Sequence, residues 1–236
     1  MARLAMEVSE EFRIPVILRP AIRVCHARQG LSWDPLSSNT QKASFEKDPG
    51  RWAATPRFRY VLHGELNEKL ERIAQRFEGL TSHNFYDLEP GKQYPLGIIA
   101  GGVPYSVVRD ILSEEDRKDI PVLKIGTPYP FPEALADMFM SACEKVLVLE
   151  ETDTVMEYFL RDREKVMGRL SGHLPSEGEL VPQVVYSLIN NVLKDLGLAL
   201  FKGNVNKEAL DLVTNLALPV RRPTLCPGCP HRASFF

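Results

Sequence analysis

No apolar run in these 236 residues approaches the ~20 that a membrane-spanning helix needs. The opening stretch MARLAMEVSEEF is amphipathic and acidic and lacks the apolar core of a secretory signal, so a cytoplasmic setting is expected. Cysteine is scarce: of four, only two are close together, which excludes a disulfide framework and suits a reducing compartment. Neither sign of charge dominates. Lys plus Arg number 29 against 31 for Asp plus Glu, so the broad basic field of a nucleic-acid binder is missing. Gly97, Gly101 and Gly102 do not make G-x-G-x-x-G, and no Walker lysine follows them, so both common phosphate-cradle fingerprints are absent. There is no internal repeat and no low-complexity segment.

What is present is an alternation of apolar runs and amphipathic stretches, in a chain long enough for one large or two small domains. Residues 96–100 read as a buried strand with Gly101-Gly102 as a tight exit, and residues 105–112 as a helix burying Val108, Ile111 and Leu112. The pattern repeats as a strand at 121–125, a helix at 133–143 and a strand at 145–149, with a further helix expected after Glu151. Strands alternating with helices of this length imply right-handed crossovers and an α/β fold with a doubly wound parallel sheet. The carboxylates of Glu150, Glu151 and Asp153 fall at a strand end and a helix start, where capping explains them as well as a catalytic dyad would. The proline-rich run 126–132, GTPYPFP, is stiffened by its fixed φ angles and reads as a contact surface.

Both flanks are less regular. Leu4, Ala5, Val8 and Phe12 have helical spacing, and residues 14–18 form a run apolar on both faces, as in a strand buried inside a parallel sheet. No earlier strand exists here to pair with it, so the chain is expected to start within a domain. Beyond that run lie Arg19, Arg23, Cys25 and His26, where open α/β sheets bind ligands, although arginines at strand ends also commonly pair with carboxylates. Residues 29–93 are polar and irregular except for one amphipathic helix over 62–77, and Pro182 opens a second amphipathic helix.

The most chemically pointed motif is Cys226-Pro227-Gly228-Cys229-Pro230-His231, a proline-stiffened turn whose backbone amides suit an anion or cofactor. Haem attachment needs His directly after the second Cys, and Pro230 intervenes. A zinc site needs a second ligand pair, for which only Cys25-His26 offers itself. A thioredoxin-type dithiol belongs between a strand and a helix early in a small domain. A plain surface turn with two unremarkable thiols remains open beside these.

Five segments in order, IPVILRPAIRVCH, KIGTPYPFPEALADMF, KVLVLEETDTVMEYFLR, SGHLPSEGEL and RRPTLCPGCPHR, resemble the alpha subunits of indolepyruvate:ferredoxin oxidoreductase. These belong to the thiamine-diphosphate-dependent 2-oxoacid:ferredoxin oxidoreductases. The resemblance implies an internal segment of such a subunit: 1–30 the end of a pyrimidine-binding domain, 31–94 a linker with one amphipathic helix, and 95–165 a transketolase C-terminal-like domain. Residues 166–222 would be a helical linker and 223–236 the start of a pyrophosphate-binding domain. It further implies that Cys226, Pro227, Gly228, Cys229 and His231 line a thiamine diphosphate pocket and that Arg23 and His26 face substrate, although Pro20, Ala21 and Cys25 replace the family's usual small hydroxyl residues. Implied partners are a beta subunit, ferredoxin, an aryl pyruvate and coenzyme A. Implied cofactors of the parent protein are thiamine diphosphate, Mg²⁺ and 4Fe-4S clusters. The family's catalytic glutamate would precede residue 1, its Mg²⁺-binding aspartate would follow Phe236, and no complete cluster motif lies between, so the chain by itself is expected to be inactive. The alternative is a standalone, non-catalytic α/β interaction module.

Overall fold

In the computed structural model, described residues are 1–27, 29, 30, 32, 45–53, 55–203 and 207–217. Contacts divide the chain into two units, Met1–Phe201 and Lys202–Phe236.

The first unit opens with α1 (Ala2–Phe12), ended by Arg13 in the left-handed conformation, with φ 50° and its N–H on the Ser9 carbonyl. The short α2 (Ile22–His26) and α3 (Pro49–Trp52) follow, the latter capped by the Asp48 carboxylate on the Arg51 N–H at 3.1 Å. The long α4 (Pro56–Glu78) starts six residues before the expected 62, because Pro56 is well suited to a first helical position. Val8 and Phe12 of α1 bury against Ile73 and Phe77 of α4 in a small cluster of their own.

Residues 14–18 are not the buried strand that their apolar run suggests. They join no strand of the sheet, and Ile17 is 88% exposed. A strand needs a neighbour for its backbone N–H and C=O groups, Pro15 removes one donor, and none of the sheet's strands lies beside this segment.

The sheet comprises β1 (Phe85–Tyr86), β2 (Tyr94–Ala100), β3 (Val122–Lys124), β4 (Cys143–Leu149) and β5 (Val166–Met167), in the order β1-β3-β2-β4-β5. β2 is central and parallel to both neighbours, with Ile98 opposite Val122 on one side and Leu147 on the other. β5 extends the parallel set, whereas β1 pairs antiparallel with β3, so the sheet is mixed rather than wholly parallel. The antiparallel edge is held by Asp87, whose carboxylate accepts the Val122 N–H at 2.5 Å.

Crossover helices cover both faces. From β2 the chain passes through α5 (Gly102–Glu114) to β3, and from β3 through α6 (Glu133–Ser141) to β4. After β4 only the one-turn α7 (Met156–Phe159) precedes β5, and α8 (Pro182–Asp195) then packs on α5. Leu96, Ile98, Ala100, Leu147 and Leu149 face α5 and α8 and share a core with Val108, Val185 and Ile189. The alternate residues Ile99, Val146 and Val148, with Leu123, face α6 through Leu135 and Phe139. This is the period of two that makes a central strand read as continuously apolar. In the second unit the described helix is α9 (Lys207–Thr214). No helix among the described residues is long and apolar enough to cross a membrane.

Candidate functional site

The carboxyl ends of β2 and β4 create a crevice. The connection from β2 leads to β3 on one side, whereas the chain leaving β4 leads to β5 on the other, which makes the gap between β2 and β4 the topological switch point where open α/β sheets bind ligands. A cavity of about 370 Å³ lies there, within the size range of small-molecule sites. Its floor is Gly101 and Gly102, where β2 turns into α5. A Cβ on Gly101 would stand 2.7 Å from the Ile125 carbonyl oxygen, so only glycine lets the strand end pass β3 so closely.

One wall is the loop after β4. Glu150, 5% exposed, takes the Val155 and Met156 N–H groups on Oε2 at 2.9 and 2.7 Å and the Glu157 N–H on Oε1 at 3.0 Å. Its carboxylate therefore organises the start of α7. Glu151 Oε1 accepts the Leu180 N–H at 2.5 Å, tying this loop to the segment before α8. Glu157, 1% exposed, receives the backbone N–H groups of Arg169 and Leu170 at 2.9 and 3.2 Å. The acidic run has the capping role, and a catalytic dyad is not needed to account for it.

The opposite wall is the segment around α2. Arg19 donates to the Glu151 carbonyl oxygen at 3.2 Å and to Thr152 Oγ1 at 3.0 Å. Arg23 donates through Nε to Glu179 Oε2 at 2.8 Å, and a second guanidinium nitrogen lies 2.6 Å from the same oxygen. Both arginines thus pin the segment to the carboxyl edge of the sheet, and both line the cavity. The Arg23–Glu179 pair is exposed, so it is worth only about 0–1 kcal/mol to stability.

A second, mostly apolar cavity of about 650 Å³ adjoins the first and is lined by α1, α4 and residues 126–130. Arg19, Gly126, Pro128 and Val155 line both cavities and form the partition between them.

Of the residues singled out from sequence, Arg23 stands in the cavity wall. His26 closes α2, and its side chain lies outside the described set. Cys226, Pro227, Gly228, Cys229 and His231 lie outside the described residues. Among the described residues, no group of three or more His, Cys, Asp or Glu is arranged to hold a metal ion. Sequence reasoning missed Glu179 and Asn84. Glu179 is 156 residues from its partner Arg23, and the structural role of Asn84 depends on a loop more than forty residues away.

Cys143, buried against α6, is not a reactive thiol: burial pushes it up to about 11, against a smaller opposing effect of Lys165. His83 sits beside Gly126, and its imidazole is held below its ordinary value, first by burial and then by the positive charges of the chain's amino terminus and Lys124.

No protein-family model matches the chain. Curated relatives do. The indolepyruvate oxidoreductase subunit IorA of Methanothermobacter marburgensis is 36% identical over 239 residues, covering 98% of this chain and 36% of the relative. The subunits of the same name from Thermococcus kodakarensis and Archaeoglobus fulgidus are 34% and 32% identical, each covering 100% of this chain and 37% of the relative. Among solved structures, 2-oxoglutarate:ferredoxin oxidoreductase from Magnetococcus marinus, with 2-oxoglutarate, coenzyme A and succinyl-CoA bound, aligns at 17% identity with a TM-score of 0.44, covering 61% of this chain and 24% of that one. The chain thus spans little more than a third of the length of the relatives it matches. Along the segment that it spans, it belongs to the indolepyruvate oxidoreductase subunit IorA family.

Proposed function

We propose that this chain is part of a subunit that, with its beta partner, converts indolepyruvate and other aryl pyruvates with coenzyme A into acyl-CoA and carbon dioxide, passing the electrons to ferredoxin. The observation that carries the reading is the match along 98% to 100% of this chain to subunits named for indolepyruvate oxidoreduction. In this reading thiamine diphosphate, held with Mg²⁺, supplies the electron sink for decarboxylation when bound, and 4Fe-4S clusters of the parent protein carry electrons onward. Cys226, Pro227, Gly228, Cys229 and His231 line the diphosphate cofactor, with the turn approaching through its backbone. Arg23 and His26 face the substrate. The placement of Arg23 in the wall of the switch-point cavity supports its part in this assignment. In that role its guanidinium serves as a charged hydrogen-bond donor to a carboxylate, at the expense of its exchangeable pairing with Glu179.

The test is to produce the parent subunit with its partner and follow ferredoxin reduction that requires both indolepyruvate and coenzyme A. Turnover by the complex and none by the 236-residue chain is the expected result. A parent complex inactive with every aryl pyruvate would overturn the activity. Robust turnover by the isolated chain would overturn its role as one part of a larger site. Thiamine diphosphate titration of the complex with Cys226→Ala and Cys229→Ala measures whether those side chains, rather than the backbone, hold the cofactor.

A further inference from the structure

The loop that contributes Gly126 and Pro128 to the partition between the two cavities is seated at its far end by Phe131, buried on Phe159, and is tied at its start by one side chain. Gly126 and Pro128 face both cavities, and the loop that carries them continues through Pro130 and Pro132. Prolines stiffen a loop internally but remove backbone donors by which it could be anchored. The side chain at its start is Asn84, 1% exposed. Its Oδ1 accepts the Gly126 and Thr127 N–H groups at 2.9 and 3.2 Å, and its Nδ2 donates to Thr127 Oγ1 at 2.7 Å and to the Phe77 carbonyl oxygen at 2.8 Å. An asparagine has two N–H donors and two acceptor lone pairs, so this side chain is fully used. It joins the last turn of α4 to the start of the loop. The fit is tight, since a Cβ on Gly126 would stand 2.8 Å from the His83 carbonyl oxygen.

Asn84 lines neither cavity. We infer that Asn84 is a positioning residue, which holds the Gly126–Pro128 partition in the shape against which the aryl 2-oxo acid binds. This rests on the reading of the switch-point cavity as part of the substrate site. Removing the side chain frees two loop amides and one hydroxyl at once, and the partition relaxes into the space on either side.

The experiment uses the parent subunit with its partner and compares Asn84→Ala, Asn84→Asp, Thr127→Val and, as a control, Asn190→Ala. The control breaks a comparable bond, Phe201 N–H to Asn190 Oδ1 at 3.0 Å, made by a residue that lines neither cavity. For Asn84→Ala the KM for indolepyruvate is expected to rise about tenfold, the value of one lost buried hydrogen bond, with kcat changed by less than about threefold. Asn84→Asp keeps the acceptors for Gly126 and Thr127 but sets an oxygen against the Phe77 carbonyl, so it also raises KM, and Thr127→Val shows a smaller rise. Asn190→Ala lowers the melting temperature and leaves KM alone. An unchanged KM in Asn84→Ala, or the same rise in Asn190→Ala, overturns the inference. Should Asn84→Ala not fold, Asn84→Asp and Thr127→Val carry the comparison, and no rise in either overturns it. Should the wild-type complex turn over no aryl pyruvate, the functional reading fails separately. Amide exchange in the 236-residue chain then decides the positioning role: at Gly126 and Thr127 it quickens at least about tenfold in Asn84→Ala, or in Thr127→Val if that variant does not fold, relative to β3. Unchanged protection there rejects it.

Discussion

Gly97 of β2 lies flush against Cys143 at the start of β4: a Cβ placed on Gly97 would stand 2.6 Å from the Cys143 sulfur and 2.9 Å from the Phe139 ring. Cys143 and Phe139 are themselves 1% and 0% exposed, so neither has room to retreat. The close approach of α6 to the sheet therefore depends on the missing side chain.

Gly97→Ala is expected to destabilise the chain by about 1–3 kcal/mol, the cost of overpacking a filled core. Urea unfolding checks it. A change below the error of the extrapolation would mean that α6 shifts outward at no cost.

The same neighbourhood sets an alkaline limit. The Cys143 thiol has an ordinary value of 9.0 and is pushed up to about 11 when folded. Above pH 9 the unfolded thiol loses its proton before the folded one, so its stabilising contribution is full below about pH 9 and falls as pH rises toward about 11. The expected loss is about 2–3 kcal/mol at most. Cys143→Ala removes this part of the pH profile, and the difference between the two denaturation curves from pH 8 to pH 11 isolates it. At neutral pH, mass spectrometry after brief alkylation should find Cys25, which is exposed, modified well before Cys143.

Glu150→Gln tests the capping role of the acidic run. An amide in place of the carboxylate presents a donor to one of three backbone N–H groups, and a loss of about 1–3 kcal/mol is expected. If the parent complex lost turnover while its melting temperature stayed unchanged, Glu150 would have a chemical role that its hydrogen bonds do not require.

Arg23→Met separates binding from stability. The exposed ion pair with Glu179 contributes little, so stability is expected to change by less than about 1 kcal/mol. In the parent complex the same substitution is expected to raise the KM for indolepyruvate more than tenfold, the cost of removing a charged donor from a carboxylate, about 1.5–3 kcal/mol. Steady-state kinetics with unchanged KM would remove Arg23 from the substrate site.

Ile17→Asp probes the apolar run that does not pair. Since Ile17 is 88% exposed, the 236-residue chain should tolerate the change within about 0.5 kcal/mol. A large loss of stability would show that residues 14–18 are covered in solution.

The centre of the fold was readable from local pattern because β2 and β4 are flanked on both faces, and apolar runs of five residues between glycines and amphipathic helices have few other uses. The same rule misled at residues 14–18, where a run of equal apolarity stays unpaired: pattern reports a tendency to be buried, and only a neighbouring strand satisfies it. β1 was invisible for the opposite reason. Two residues are too few to show a period, and their place at the sheet edge is held by Asp87 reaching the Val122 N–H.

The order of strands and helices in the middle of the chain, and its likeness to the IorA subunits, were therefore determined by the sequence alone, since both rest on residues close together along it. The tertiary structure decided which arginine pairs with Glu179, that the buried Glu150 carboxylate meets backbone N–H groups, and that one asparagine side chain binds the Gly126 and Thr127 N–H groups beside the two cavities. Those choices belong to groups that become neighbours only after the chain folds, 156 residues apart for Arg23 and 43 for Asn84 with Thr127, and a hydrogen bond is selected by distance in space.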